Sequence, residues 1–187
     1  MILYPTETLY ALGVDPFNEL ERKKLYELKD RDTSKPSSWL VRSLEDIKRY
    51  ALVPESAERI AQAFLPGSLT LVLRAKEGLP AEVLAADRTV AFRISSDPLA
   101  QKLIAEFMDE HDAPLTCTSA NVSGSPTLPT VAEILQQFGA KAKLIDAIID
   151  DGPRKGLAST IVRVLGEAID ILREGEISEK DVHNALR

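Results

Sequence analysis

The chain has 187 residues, 44% of them hydrophobic and 28% charged, proportions that exclude collagen, a long coiled coil and a disordered chain and favour one domain over residues 1–187. Twenty-nine acids against 23 bases leave a net charge of −6. That rules out a general nucleic-acid-binding surface, so any anionic ligand must be held by a local cluster of bases.

The periodicity alternates between 2 and 3.6, which predicts strands and helices mixed through one α/β domain. Ile2 to Tyr4 reads as a short strand opening through Pro5-Thr6-Glu7-Thr8 into a loop that reaches Gly13. Asn18 is placed to cap a helix running to Lys29, with Leu20, Leu25 and Leu28 as its inward positions. A polar loop from Asp30 to Ser38 leads to a brief strand, Trp39-Leu40-Val41. Helices are expected over Leu44 to Ala51 and Pro54 to Phe64, Pro54 occupying the first turn. Pro66-Gly67 breaks the pattern before a strand over Leu69 to Arg74, and Pro80 to Ala85 is a short helix at best.

Along Thr89 to Ser95, Val90, Phe92 and Ile94 share one strand face; Ala91, Arg93 and Ser95 share the other, a usually solvated position for an arginine. Asp97 caps a helix to about Met108, and Leu115 to Thr118 is the next strand. Ser119 to Pro129 is a loop, Val131 to Phe138 a helix, Ala147 to Ile149 extended and Asp150 to Gly156 a polar loop. Thr160 to Leu165 and Ala168 to Leu172 form a hairpin around Gly166-Glu167, and a terminal helix starts from Ser178.

Cys117, the one cysteine, excludes an internal disulfide, fits a reducing compartment, and between two threonines in an apolar strand reads as a small buried hydrophobe. His111 and His183 lie in polar surroundings away from any motif. No HExxH, CxxC or Walker phosphate loop is present. No apolar run approaches the ~18 residues of a membrane span, and the opening residues enter a turn too soon for a signal peptide.

Lys29-Asp30-Arg31 can offset a helix dipole by ~0.3–1 kcal/mol, or clamp a phosphate between a point charge and a planar fork of donors. The loop Ser119-Ala120-Asn121-Val122-Ser123-Gly124 can present several donors to an anion, or simply form a turn. Arg173 at a strand end and Ser159-Thr160 after a basic loop are compatible with either use. From the residues alone, the conclusion is a polar cleft able to hold an anion.

Four ordered segments add more: Pro5-Thr6-Glu7-Thr8-Leu9-Tyr10-Ala11-Leu12-Gly13, Lys29-x-Arg31, Ser119-Ala120-Asn121-Val122-Ser123-Gly124 and Ser159-Thr160-Ile161-Val162. With Pro66-Gly67-x-x-Thr70, Val90-Ala91-Phe92-Arg93-Ile94 and Leu172-Arg173-Glu174-Gly175, they closely resemble the YrdC/TsaC family, the L-threonylcarbamoyladenylate synthases. The resemblance implies a twisted, open mixed β-sheet flanked by helices around a concave basic cavity. It also implies that L-threonine, bicarbonate and ATP give threonylcarbamoyl-AMP and pyrophosphate, with Mg²⁺ accompanying ATP. A partner transferase complex in the cytoplasm then modifies tRNA, to which direct binding would be weak.

Carried over by motif, Lys29 and Arg31 are the catalytic pair and also touch the nucleotide, together with Asn121 and Arg173. Thr6, Arg93, Ser119 and Ser159 bind substrate, with Thr8 a neighbour. The chain departs from the family pattern by starting at the turn's own strand, without an entrance segment of about 20 residues, a difference within domain-size norms. It also carries Ala11 for Gly, Ser68, Asp32 and Ser95 for Pro, and Arg163 at an often acidic position. Asp32 weakens the local positive field. The alternatives are a non-catalytic RNA-binding module of the same fold, disfavoured by the charge and the 5% aromatic content, and a relative that forms a carbamoyl-adenylate.

Overall fold

Ten strands and six helices follow the alternating pattern in a computed structural model that describes residues 1–33 and 35–187; Ser34, inside the polar loop expected from Asp30 to Ser38, lies outside the described residues. The strands are β1 (Ile2–Pro5), β2 (Tyr10–Gly13), β3 (Trp39–Leu40), β4 (Leu69–Arg74), β5 (Thr89–Arg93), β6 (Leu115–Thr116), β7 (Thr118–Ser119), β8 (Ala147–Ile148), β9 (Thr160–Leu165) and β10 (Ala168–Arg173). The helices are α1 (Glu19–Lys29), α2 (Leu44–Tyr50), α3 (Glu55–Phe64), α4 (Pro98–His111), α5 (Val131–Phe138) and α6 (Glu179–Asn184). Between Pro80 and Ala85 there is a single 3₁₀ turn, Ala81–Val83.

The mixed α/β class holds, with the strands divided between two open sheets. A four-stranded sheet has the order β7-β2-β1-β8, and a six-stranded sheet the order β10-β9-β4-β5-β3-β6. Each mixes parallel and antiparallel neighbours: β1 runs antiparallel to β2 and parallel to β8, while β4 runs antiparallel to β5 and parallel to β9.

The chain passes directly from one sheet to the other at a single residue. The strand expected over Leu115 to Thr118 is broken at Cys117: β6 pairs with β3 in the larger sheet and β7 pairs with β2 in the smaller. Cys117 donates its N–H to Ser38 O at 2.6 Å. Beside it, Thr116 Oγ1 accepts from Val14 N at 3.0 Å and Tyr4 Oη donates to Thr116 O at 3.0 Å. A buried backbone cannot leave such groups unpaired, so these bonds fix where the chain changes sheets.

Strand alternation then sorts the apolar side chains. On β1, Leu3 enters a smaller core with Leu25 and Leu28 of α1 and Ile134 and Phe138 of α5. Tyr4, its neighbour, enters the larger core under the six-stranded sheet. There Trp39 packs edge-on against Phe17, Tyr50 and Phe92 at 5.4–5.7 Å between ring centroids. Such contacts are worth ~0.5–1.5 kcal/mol each beyond the area they bury.

Three local expectations change. Leu20 is 70% exposed: five residues before Leu25, it stands on the other side of α1, whereas Leu25 and Leu28 are one turn apart. Pro54 is the cap ahead of α3 rather than part of its first turn. The loop expected up to Gly13 contains β2, whose four residues pair with β1 from Pro5↔Tyr10 to Ile2↔Gly13.

Candidate active site

Between the two sheets lies a cleft of about 390 Å³, with Cys117 in its lining. The β1–β2 turn and β7 form one wall, bringing Thr6, Thr8, Tyr10 and Ser119. The larger sheet forms the other, with Thr70 on β4, Arg93 on β5 and Ser159 ahead of β9. Arg31 and Arg173 line it as well. Of the residues singled out from sequence, Thr6, Thr8, Arg31, Arg93, Ser119, Ser159 and Arg173 therefore converge, although up to 167 positions separate them. Lys29 and Asn121 do not reach the cleft lining.

Lys29 is the clearest departure from the solvated helix-end cation that its position first suggests. It is only 1% exposed, because it follows Leu25 by four residues on the buried face of α1. Its Nζ donates to Ser119 O, to Asn121 O at 2.8 Å and to Asn121 Oδ1 at 3.4 Å. Three acceptors match the three donors of an ammonium. Burial, with the Arg31 cation adding, pushes Lys29 down from its usual 10.5 to about 7.

The loop that Lys29 holds is tied internally too. Ser119 Oγ donates to Asn121 Oδ1 at 2.6 Å, Asn121 Nδ2 to Ser125 O at 2.7 Å, and Ser123 N to Lys29 O at 2.7 Å. Asn121 is thus the internal brace of the loop, and Ser119 lines the cleft together with Thr127 further along it.

Arg93 corrects the solvated-face expectation for β5. Val90, Phe92 and Ile94 do face the larger core, but the opposite face looks into the cleft, where Glu7 and Thr8 of the β1–β2 turn meet Arg93 and leave it 7% exposed. Nη2 donates to Glu7 Oε1, and Nη1 lies 3.3 Å from Thr8 Oγ1. Nε is buried with no partner among the described residues. Arg31 donates to the backbone oxygens of Lys35 and Pro36 at 2.9 and 3.1 Å, and Arg173 to Ser159 O at 2.7 Å. Burial lowers both guanidinium pKa values, assisted at Arg173 by Arg93 and opposed at Arg31 by Tyr26 and Asp32. Both remain cations at neutral pH.

Thr6 lines the wall with its hydroxyl already committed. It donates to Leu9 O at 2.6 Å and accepts from Leu9 N at 3.2 Å, locking the turn between β1 and β2. The Ser159 hydroxyl is shared with Thr70 Oγ1 at 2.8 Å.

Sequence reasoning assigned no role to Tyr10, Arg154 or Glu7. Tyr10 Oη donates to Gly152 O at 2.8 Å and accepts from Asp151 N at 3.0 Å. Arg154 Nε donates to Thr6 O at 3.1 Å, and its Nη2 pairs with Asp97 at 3.0 Å and Asp151 at 2.6 Å. Together they strap the 150–158 segment onto the turn that carries Thr6 and Thr8. Glu7 and Tyr10 did lie within the motif from Pro5 to Gly13, and Arg154 within the polar loop from Asp150 to Gly156, but neither segment marked them out by itself.

The cleft offers guanidiniums and hydroxyls, and its described lining contains no carboxylate. Cys117 supplies no activated nucleophile: burial pushes its thiol up, with Arg93 acting in the opposite direction. The arrangement can hold anions in fixed orientation and stabilise negative charge as it shifts between them.

Two open mixed sheets enclosing a cleft of cations and hydroxyls define an α/β protein with room and charge for anions between its sheets. The family model for Sua5/YciO/YrdC, described as "Telomere recombination", matches residues 1–175, and the chain belongs to that family. A relative from Methanocaldococcus jannaschii is 36% identical over 178 residues, 95% of this chain and 80% of its own length. The threonylcarbamoyl-AMP synthase of Pyrococcus abyssi is 32% identical over 188 residues, all of this chain but 53% of that protein. The crystal structure of P. abyssi Sua5 complexed with L-threonine superposes with a TM-score of 0.87 at 31% identity, covering 99% of this chain and 53% of that one. The chain thus spans about half the length of the Pyrococcus protein.

Proposed function

We propose that residues 1–187 act as one domain that makes threonylcarbamoyl-AMP from L-threonine, bicarbonate and ATP. The observation that carries this reading is the convergence of Arg31, Arg93 and Arg173 with Ser119, Ser159 and Thr8 in one cleft of an otherwise acidic chain. The family membership and the name and ligand of the Pyrococcus relatives support it.

The neutral threonine amine forms a bond to the bicarbonate carbon, a C–O bond of bicarbonate breaks, and water leaves with the amine proton to give the carbamate. A carbamate oxygen forms the new bond to the α-phosphorus of ATP, the bond from that phosphorus to the β-bridging oxygen breaks, and pyrophosphate leaves with the electron pair. Both partners are anions, so the barrier is dominated by charge repulsion and by alignment, which fixed cations and neutral donors lower. Arg93 Nη1, beside Thr8 Oγ1, takes the threonine carboxylate. Arg31 and Ser119 hold carbamate and phosphate oxygens, Ser159 stands on the threonine side, and Arg173 faces the nucleotide.

Lys29 and Asn121 act through the loop, keeping Ser119 at the wall without touching the reactants. An adjoining recess of about 450 Å³ shares Val72, Ala91 and Leu172 with the cleft and suits a flat base. Magnesium enters with ATP as part of the substrate and neutralises phosphate charge; phosphate oxygens and water hold it, since the described lining offers hydroxyls and no carboxylate. The product then passes, in the cytoplasm, to a transferase complex that acts on tRNA, with weak direct tRNA binding by this chain.

The test is mass detection of threonylcarbamoyl-AMP from purified protein, ATP, magnesium, bicarbonate and a panel of amino acids. The expected result is one adenylate, dependent on both threonine and bicarbonate. Pyrophosphate release without that dependence, or no adenylate at all, overturns the reading.

A further inference from the structure

Glu7 is the carboxylate tied to the buried cation of the cleft. Its Oε1 accepts from Arg93 Nη2, and its Oε2 accepts from Ser95 Oγ and, at 3.3 Å, from Ser96 N. Arg93, Thr8 and Cys117 line the cleft, and Glu7 does not. On the cleft side, Arg93 Nη1 lies 3.3 Å from Thr8 Oγ1 and 4.0 Å from Cys117 Sγ. Nη2 lies equally close to Thr8 Oγ1, at 3.3 Å, so the two ends of the guanidinium differ in their other partners: Nη2 is tied back to Glu7, and Nη1 approaches Cys117 Sγ in the cleft lining.

We propose that Glu7 is a positioning residue for amino-acid recognition, holding Arg93 from behind so that Nη1 meets the substrate carboxylate. This rests on the reading of Arg93 as the partner of the threonine carboxylate. A carboxylate held by Arg93 alone would compete with the substrate and be displaced by it. Glu7 is different, because Ser95 and Ser96 at the end of β5 hold it independently of the cation. Its charge also offsets the burial of Arg93, whose Nε has no partner among the described residues. Glutamine is a poor replacement: the Ser95 hydroxyl could turn to accept from its –NH₂, but Ser96 N can only donate and would be opposed, and the charge facing Arg93 would be lost.

The experiment compares wild type, Glu7→Gln and Ser95→Ala in steady-state pyrophosphate release, varying ATP, L-threonine and L-threoninamide, which lacks the carboxylate. Ser95→Ala keeps the Glu7–Arg93 pair while removing one anchor of Glu7, and it carries the test if Glu7→Gln does not fold. Glu7→Gln is expected to raise KM for L-threonine by about tenfold or more, the value of a charged hydrogen bond, with KM for ATP within about twofold. It should also erode the preference for L-threonine over its amide. Ser95→Ala shifts both quantities in the same direction by less. A purely structural role would reduce both substrates' use alike and leave that preference intact, and this outcome in folded variants overturns the proposal. Wild type that releases no pyrophosphate in response to threonine overturns the functional reading itself, and the role of Glu7 with it.

Discussion

A guanidinium fixed by backbone oxygens keeps its orientation whether or not an anion is bound, and that is the condition of Arg31, held by Lys35 O and Pro36 O. Losing one such preorganised donor typically costs ~2.7–4 kcal/mol in the transition state. Arg31→Ala should therefore cut turnover about a hundredfold or more while the melting temperature stays near that of wild type; near-normal turnover would remove Arg31 from the mechanism. Arg93→Lys keeps the charge but not the planar fork. It should raise KM for threonine much more than KM for ATP, and an equal rise in both would count against carboxylate recognition. Lys29 allows a test by pH. Its folded-state pKa of about 7 lies below the usual 10.5, so from about pH 7 to 10 the unfolded chain binds more protons at this group than the folded one. Stability relative to Lys29→Met should then rise with pH across that window, as read by urea unfolding at pH 7 and pH 10. A flat difference would mean that the three carbonyl and amide oxygens keep the ammonium charged throughout.

Among the elements, the segments that build the cleft are pinned by close backbone contact. At Gly175 a Cβ would stand 1.9 Å from Ala158 O, where nothing at the far end of a flexible side chain can move aside. Gly175→Ala should destabilise the fold by more than about 2 kcal/mol, as forced overpacking does, and should reduce activity through Ser159 and Arg173. An unchanged melting temperature would show that the crossing is looser than it looks. Most helices and long strands were legible from periodicity and caps, as with Asn18 before α1 and Asp97 before α4. The strand β2 was not, because four residues directly after a turn give too short an alternation. The change of sheets at Cys117 was hidden for a different reason: alternation reports which face a residue takes, not which strand pairs with it. The candidate site was legible only as scattered segments. Lys29 did carry a local clue to its burial, its spacing of four from Leu25, yet its acceptors lie 90 and 92 positions away. Covering of Arg93 likewise depended on Glu7 and Thr8 of the β1–β2 turn.

For the molecule as a whole, the net charge of −6 makes the cleft a local reversal of the prevailing field. Raising salt screens exposed charges within a Debye length of ~10 Å at 0.1 M. KM for ATP, a multiply charged anion, should climb with salt more steeply than KM for zwitterionic threonine; parallel curves would argue that long-range charge has no part in nucleotide capture. Among the described residues no helix is long and apolar enough to cross a membrane, and the two sheets place their shared opening within reach of dissolved ligands. The central claim is that side chains from both sheets bring two anionic reactants together in that opening. A crystal structure with ATP, magnesium and L-threonine tests it most directly. The threonine carboxylate should lie on Arg93 beside Thr8, with phosphate oxygens on Arg31 and Ser119. Either ligand bound outside the cleft, or a carboxylate held by another cation, would contradict it.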